Sequence, residues 1–230
     1  MSHSVISCPY GLDSQGLVLW RDDKTLVHPA VAGDLEALFS TAKDAGFSLK
    51  IVSGYRSFER QALIWRAKCF GERTVLDHDD APVDLDRLTP IEIIEAVCLW
   101  SAIPGASRHH WGTDFDVIPE NLLPQGYKLQ LTASEYGENG PFYPFAQWLA
   151  TYLPSSAFFK PYAVFRGGVG EEPWHISHQQ AANEAQQRWK KNTFFELIKN
   201  KEIAFYQEII QNFSSLYRRF VQNEGLSNLS

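Results

Sequence analysis

The stretch Ser107-Arg108-His109-His110-Trp111-Gly112-Thr113-Asp114-Phe115-Asp116-Val117 sets an imidazole and a carboxylate seven positions apart, at His109 and Asp116. Zinc in hydrolytic sites takes three such protein ligands and keeps a fourth position for water. The third ligand must come from elsewhere, and the segment Glu171-Glu172-Pro173-Trp174-His175 offers His175. Glu172, in the same segment, would stand beside the ion as a base. Zinc lowers the pKa of bound water from ~15.7 to ~7, so the chemistry this set points to is hydrolysis. The helical His-Glu-x-x-His arrangement is absent, so the ligands must be gathered from strands and loops.

A strand is expected from Thr113 to Val117, with Gly112 as the bend before it. Its alternation puts Asp114 and Asp116 on one face and Phe115 on the other. Glu172 and His175, three apart, do not share a face on a regular strand, so their convergence requires a kink. Pro173 biases Glu172, just before it, toward an extended backbone.

Upstream, Leu35, Leu38, Phe39 and Ala42 recur at helical spacing between Asp34, a candidate N-cap, and Gly46. Phe47 to Ser53 reads as a strand. Gly54-Tyr55-Arg56-Ser57 turns out of it into a helix with the stripe Phe58, Ala62, Trp65 and Cys69, closed by Gly71. Arg56 therefore falls at a strand-to-helix junction, where scaffolds often present functional side chains.

From Arg73 to Arg87 five aspartates, Asp77, Asp79, Asp80, Asp84 and Asp86, follow no calcium-loop pattern, and a surface loop is expected. Thr89-Pro90-Ile91-Glu92 is a capping box opening a buried helix that runs to about Ile103. Pro119 to Pro141 is loop-rich, Phe142 to Leu153 helical, and Tyr162 to Phe165 a short strand. Gly167-Gly168-Val169-Gly170 reads as a turn and not a phosphate cradle.

The first thirty residues give weak strand signals and read as a packed lead-in. After Gln179 the composition shifts to helix formers. There Ile203, Tyr206, Ile210, Phe213, Tyr217, Phe220 and Val221 recur at helical spacing. This stripe is expected to pack on the domain, with a partner or dimer face as the alternative.

At 230 residues, 44% hydrophobic and 21% charged, the chain can bury a substantial core. A net charge of −6 without a basic stripe argues against a nucleic-acid partner. Cys8, Cys69 and Cys98 are odd in number and lack metal-type spacing, so neither a disulfide framework nor a thiol nucleophile is expected. The N-terminal residues lack the features of a secretion signal, and no window approaches the ~20 apolar residues that span a bilayer. The expected location is cytoplasmic, with the periplasm kept open and the oligomeric state undetermined.

Ser107-x-His109-x-x-Gly112-x-x-x-Asp116, followed by Glu172-x-Trp174-His175 and preceded by Ser53-Gly54-Tyr55-Arg56-Ser57, resembles the three signature motifs of the bacterial zinc D-alanyl-D-alanine carboxypeptidases. These are the VanY-type enzymes and their dipeptidase relatives. The likeness covers roughly Leu49 to Ser177, with the motifs in the family's order. It implies that His109, Asp116 and His175 ligate one zinc ion and that Glu172 is the general base. It further implies that Arg56 stabilises the oxyanion of the scissile carbonyl and that Ser107 and Gln61 contact the substrate's end. Asp114 departs from the pattern, because many relatives carry a small residue there; its place on the Asp116 side favours an acceptor that holds a ligand histidine, with an altered substrate contact as the alternative. His110 and His178 are expected to be non-ligands.

The resemblance implies an α+β fold of Hedgehog/DD-peptidase type, a small antiparallel sheet with flanking helices. Residues 1–178 would form the catalytic domain and residues 179–230 a helical extension packed on or beside it. The implied activity is hydrolysis before a C-terminal D-alanine of peptidoglycan stem peptides or precursors. The rival enzyme is an L,D-carboxypeptidase acting on tetrapeptide muropeptides. The rival outside catalysis is a zinc-containing module that binds muropeptides or a protein partner.

Overall fold

The computed structural model describes residues 8–21 and 25–224. The first seven residues, on which part of the secretion-signal reading rests, lie outside them. A hairpin of β1 (Val18–Trp20) and β2 (Thr25–Val27) forms the lead-in. The main sheet is antiparallel throughout, in the order β3 (Leu49–Ser53), β4 (Asp114–Pro119), β6 (His175–His178), β5 (Phe158–Phe159). Sequential strands thus do not simply neighbour one another: β4 and β6, which carry Asp116 and His175, lie side by side at the centre.

Among the described residues two large apolar cores and one small cluster, Trp111 with Ala182 and Ala185, surround this arrangement. Phe115, Val117 and Ile176 project from the sheet into the first, meeting Leu35 and Leu38 of α1 (Ala32–Asp44) and Phe145 and Leu149 of α4 (Tyr143–Tyr152). The second joins α2 (Phe58–Cys69) and α3 (Pro90–Cys98) to the C-terminal helices through Trp65, Ile94, Phe194, Ile209 and Leu216. Because strand side chains alternate, burying Phe115 and Val117 in the first core turns Asp114 and Asp116 to the opposite face.

Local signals place the helices well. Ser57 caps α2 by accepting from Arg60 N, and Thr89 with Glu92 forms the capping box of α3. Asp34 is not the cap of α1: a 3₁₀ turn at Pro29–Val31 starts the helix earlier, Val31 is the N-cap, and Asp34 pairs with His178 Nε2 at 2.9 Å. The helix opened by Thr89 stops at Cys98, well before Ile103. Pro104 disfavours helix in the residue before it, and the Trp100 indole is drawn off to donate to the Leu76 and Asp77 carbonyls.

The strand expected at Tyr162 to Phe165 is a turn; Phe158–Phe159 pairs with β6 instead. Pro161 has no N–H for a ladder, which ends pairing before Tyr162.

After β6 the chain enters α5 (Gln179–Arg188), α6 (Lys191–Lys201), α7 (Tyr206–Gln211) and α8 (Phe213–Leu216), which runs into a π-helical turn at Tyr217–Val221. Left-handed residues Glu202 (φ 46°) and Phe205 (φ 59°) break the long stripe. The breaks fold it back so that Ile203, Phe213 and Phe220 all reach the second core.

The π turn also clamps the glycine loop before Glu172. Arg219 Nε donates to Gly167 O at 2.7 Å, and Asn223 Oδ1 accepts from Val169 N at 3.2 Å. A Cβ at Gly168 would overlap the Arg219 carbonyl oxygen. Gly168→Ala is therefore expected to cost about 1–3 kcal/mol, the usual penalty of overpacking, seen as a lower midpoint of chemical denaturation; an unchanged midpoint would show that the clamp contributes nothing.

Candidate active site

Antiparallel register sets His175 directly opposite Asp116. The 3₁₀ turn Arg108–Trp111 then brings His109 over the pair. One ligand atom from each of His109, Asp116 and His175 lies within 4.8 Å of the others, and all three residues are buried. His109 Nε2 stands 3.4 Å from Asp116 Oδ2, and His175 Nδ1 stands 3.3 Å from Asp116 Oδ1.

The two imidazoles present different nitrogens, and hydrogen bonding decides which. A carbonyl oxygen can only accept, so His109 Nδ1 donates to Gly54 O at 3.0 Å, leaving the Nε2 lone pair turned to Asp116. His175 Nε2 donates to the Asp114 carboxylate at 3.0 Å, leaving Nδ1 inward. This is how ligand histidines are oriented at metal sites.

Asp116 Oδ1 is buried and has no hydrogen-bond partner among the described residues. Such an orphan is costly in a protein interior, and a cation bonded to it removes the cost. The donor set of two imidazoles and one carboxylate fits zinc. Burial disfavours the Asp116 charge, but His109 and His175 hold the carboxyl well below its ordinary range. Burial likewise opposes the charge on His175, yet the surrounding carboxylates of Asp114, Asp116 and Glu172 raise its pKa well above the usual value.

Glu172 reaches the same point from the side. Its Oε2 is 3.2 Å from His175 Nδ1. His175 N donates to Glu172 O at 3.2 Å, so the chain between them is a turn and supplies the kink that the three-residue spacing requires. Glu172 N donates to Tyr162 O at 3.0 Å, while the Tyr162 ring packs edge-on against His175 at 5.2 Å.

Arg56 approaches the group at Asp116. Its Nη2 donates to Ser53 Oγ and its Nη1 to Gln61 Oε1, both at 2.7 Å, with Nη2 4.0 Å from Asp116 Oδ2. The turn carrying His109 and His110 holds the Arg56 backbone on both sides: Arg56 N donates to His109 O at 3.1 Å, and His110 Nδ1 donates to Arg56 O at 2.6 Å. His110 Nε2 accepts from Gly105 N at 3.0 Å. Burial pushes its pKa down to about 3, so His110 is a neutral brace with no nitrogen to spare for metal. His178 is also engaged elsewhere, with Asp34 and as an acceptor from Ala181 N.

Arg56, Ser107, His109, Asp116, Glu172 and His175 all line one cleft of about 780 Å³. Gln61 is not on its surface. It is fully buried, and its Nε2 donates to Ala102 O at 2.7 Å while its Oε1 serves Arg56. The side chain is spent on holding Arg56 and does not meet the cleft.

Asp114 occupies the place its alternation favoured. Fully buried, it accepts from Arg108 Nε at 2.7 Å and from Thr113 Oγ1 at 2.6 Å as well as from His175. Arg108 escaped the sequence reading despite standing next to His109. It donates to Ser177 Oγ at 2.7 Å and covers the Trp111 ring at 4.8 Å. Its proximity to the motif was the available signal, but its carboxylate partner lies six residues on, beyond a left-handed Gly112 (φ 66°). A Cβ there would press on Leu17 at 2.8 Å and His28 N at 3.1 Å. Cys69 and Cys98 are free and buried, and burial pushes the Cys69 thiol up to about 12, so neither offers a thiolate.

A family model described as D-alanyl-D-alanine carboxypeptidase, VanY, matches residues 24–181. An uncharacterized protein of Haemophilus influenzae is 34% identical over 121 residues, covering 52% of this chain and 92% of that protein. Among solved structures the fold is similar to VanYB in complex with D-Alanine-D-Alanine, at a TM-score of 0.52 and 20% identity over 74% of this chain and 82% of that one. It is equally similar to a variant of the vancomycin resistance D,D-pentapeptidase VanY in complex with Zn(II), at a TM-score of 0.51 and 20% identity over 76% of this chain and 86% of that one. The family match spans the whole four-stranded sheet and the site from Arg56 to His175, and the chain belongs to the VanY D-alanyl-D-alanine carboxypeptidase family.

Proposed function

We propose that this protein is a zinc-dependent carboxypeptidase that hydrolyses the peptide bond before a C-terminal D-alanine of peptidoglycan stem peptides or their precursors. The observation that carries this reading is the convergence of Glu172, at His175, and Arg56, at Asp116, on the buried group of His109, Asp116 and His175. His109 Nε2, an Asp116 carboxylate oxygen and His175 Nδ1 would hold the ion. Bound zinc supplies a nucleophile at neutral pH, by bringing the pKa of water from ~15.7 to ~7, and an electrophile for the peptide carbonyl.

The remaining work belongs to the chain. Glu172 takes the proton of the attacking water and returns it to the leaving amine. Arg56, braced by Ser53, Gln61 and His110, aims its fork of donors at the developing oxyanion and needs no rearrangement as charge builds. Ser107, buried at the cleft wall, is the residue this reading assigns to the substrate's end.

Incubation of the zinc-loaded protein with defined tripeptide, tetrapeptide and pentapeptide stems, read by mass, tests the proposal. Loss of one D-alanine from the pentapeptide is expected. Release of D-alanine from the tetrapeptide alone would replace this reading with an L,D-carboxypeptidase. Binding of muropeptide with one equivalent of zinc and no cleavage of any stem would make the protein a binding module.

A further inference from the structure

The cleft holds more positive charge than the chemistry above uses. Beside Arg56 it is lined by Lys68 and Arg73, in a chain whose net charge is −6. Lys68 sits in the last turn of α2. A cation there would be unremarkable if it merely faced the helix terminus, as the exposed Arg66 does while pairing with Glu72 at 3.1 Å.

Lys68 differs in three ways. It is half-buried; its ammonium makes no hydrogen bond or ion pair among the described residues; and it lines the cleft. Arg73 N donates to Ala67 O at 2.9 Å, which folds the chain back over the end of α2 and returns a second cation to the same wall. Arg73 likewise has no carboxylate partner among the described residues. Burial depresses the Lys68 ammonium to about 8, with Glu172 opposing that shift and Arg56 and Arg73 adding to it. Asp80 and Glu172 also line the cleft, but neither stands within ion-pair distance of Lys68 or Arg73; clustered cations repel one another, and an anion entering the cleft relieves that repulsion.

We propose that Lys68 and Arg73 form a carboxylate-binding subsite on the α2 wall of the cleft, holding a free carboxylate of the peptide substrate while Arg56 and Glu172 attend the scissile bond. The proposal rests on the peptidase reading above. Gln61, the residue of α2 expected at the substrate's end, is buried against Arg56 and Ala102, and the charge on this helix that does face the cleft is Lys68. Seven residues separate the two, about 10 Å along the helix axis at ~1.5 Å per residue. A lysine stem leans back toward the helix N-terminus, and an extended peptide advances ~3.3–3.6 Å per residue. The subsite therefore reaches either the terminal carboxylate of the leaving residue or a side-chain carboxylate one to three residues away.

Calorimetric binding to the Glu172→Ala protein, with and without zinc, separates these sources without requiring turnover. Three probes suffice: a stem pentapeptide ending in D-alanine, the same peptide amidated at its C-terminus, and the same peptide with its side-chain carboxylates amidated. One of the amidations is expected to weaken binding by about 10- to 100-fold, the worth of one charge-assisted hydrogen bond. Adding Lys68→Met should abolish that acid-over-amide preference, and Lys68→Arg should restore it. Loss of the terminal preference assigns the subsite to the leaving residue, and loss of the side-chain preference assigns it to the stem.

If the Lys68→Met protein does not fold, the surface substitution Arg73→Gln carries the same test, with a partial loss expected. Both preferences surviving Lys68→Met, with binding of all three peptides weakened alike, would overturn the proposal and leave Lys68 as a neighbour that tunes Glu172. Cleavage assays on the zinc-loaded protein test the peptidase reading separately, so the two can fail independently.

Discussion

Glu172→Ala is expected to lower turnover of a D-alanyl stem peptide by about 10²- to 10⁴-fold, the range spanned by a lost general acid–base, while one equivalent of zinc still binds. Glu172 is 8% exposed, and its carboxylate meets the His109, Asp116 and His175 group at His175 Nδ1. The two His109 and His175 nitrogens that face the site are oriented by Gly54 O and Asp114, and those bonds survive the substitution. Removing the carboxylate therefore takes away the proton carrier and leaves the ligand set standing. His109→Ala is the contrasting case: it removes one of three ligands and should lose both metal and activity. Metal content by atomic absorption beside kcat and KM reads both outcomes, and a Glu172→Ala protein with undiminished turnover would sink the assignment.

Asp114→Ala has the second large effect, and it falls on metal and stability together. Asp114 accepts hydrogen bonds from Arg108, Thr113 and His175 in a fully buried position. Without it the Arg108 guanidinium keeps Ser177 Oγ but loses its counter-charge, and breaking a buried ion pair from one side typically costs about 3–5 kcal/mol. His175 Nε2 loses the acceptor that fixes its ring, which at comparable sites weakens metal binding by about 10- to 100-fold. Denaturant midpoints and competitive zinc titration should both fall. Asp114→Asn, which keeps an acceptor but not the charge, should lie between. Wild-type stability and zinc affinity in the alanine variant would show that the Arg108–Asp114–His175 chain is incidental.

The helices were legible because their signals are local. Apolar residues three and four apart, Ser57 before α2, and Thr89 with Glu92 before α3 lie within a few residues of the structure they set. The ends that differ are set from a distance: α3 stops where Trp100 is drawn to Leu76 and Asp77, and β5 forms ahead of Pro161 because β6, further along the chain, needs an edge partner there.

The site divides in the same way. The identities of His109, Asp116, Glu172 and His175, and the facing of Asp114 with Asp116, follow from residue chemistry and strand alternation. Their order along the chain was enough to point to hydrolysis and to the family. Only the tertiary structure decided which nitrogen each histidine presents, because Gly54 O and Asp114 make that choice across 55 and 61 residues of chain. It likewise turned Gln61 from the cleft to Arg56, gave Asp114 its partner in Arg108, and brought Lys68 and Arg73 to the cleft wall. A side chain's type states what it can donate, accept or ligate, whereas the atom that uses that capacity is chosen by packing between segments far apart in sequence.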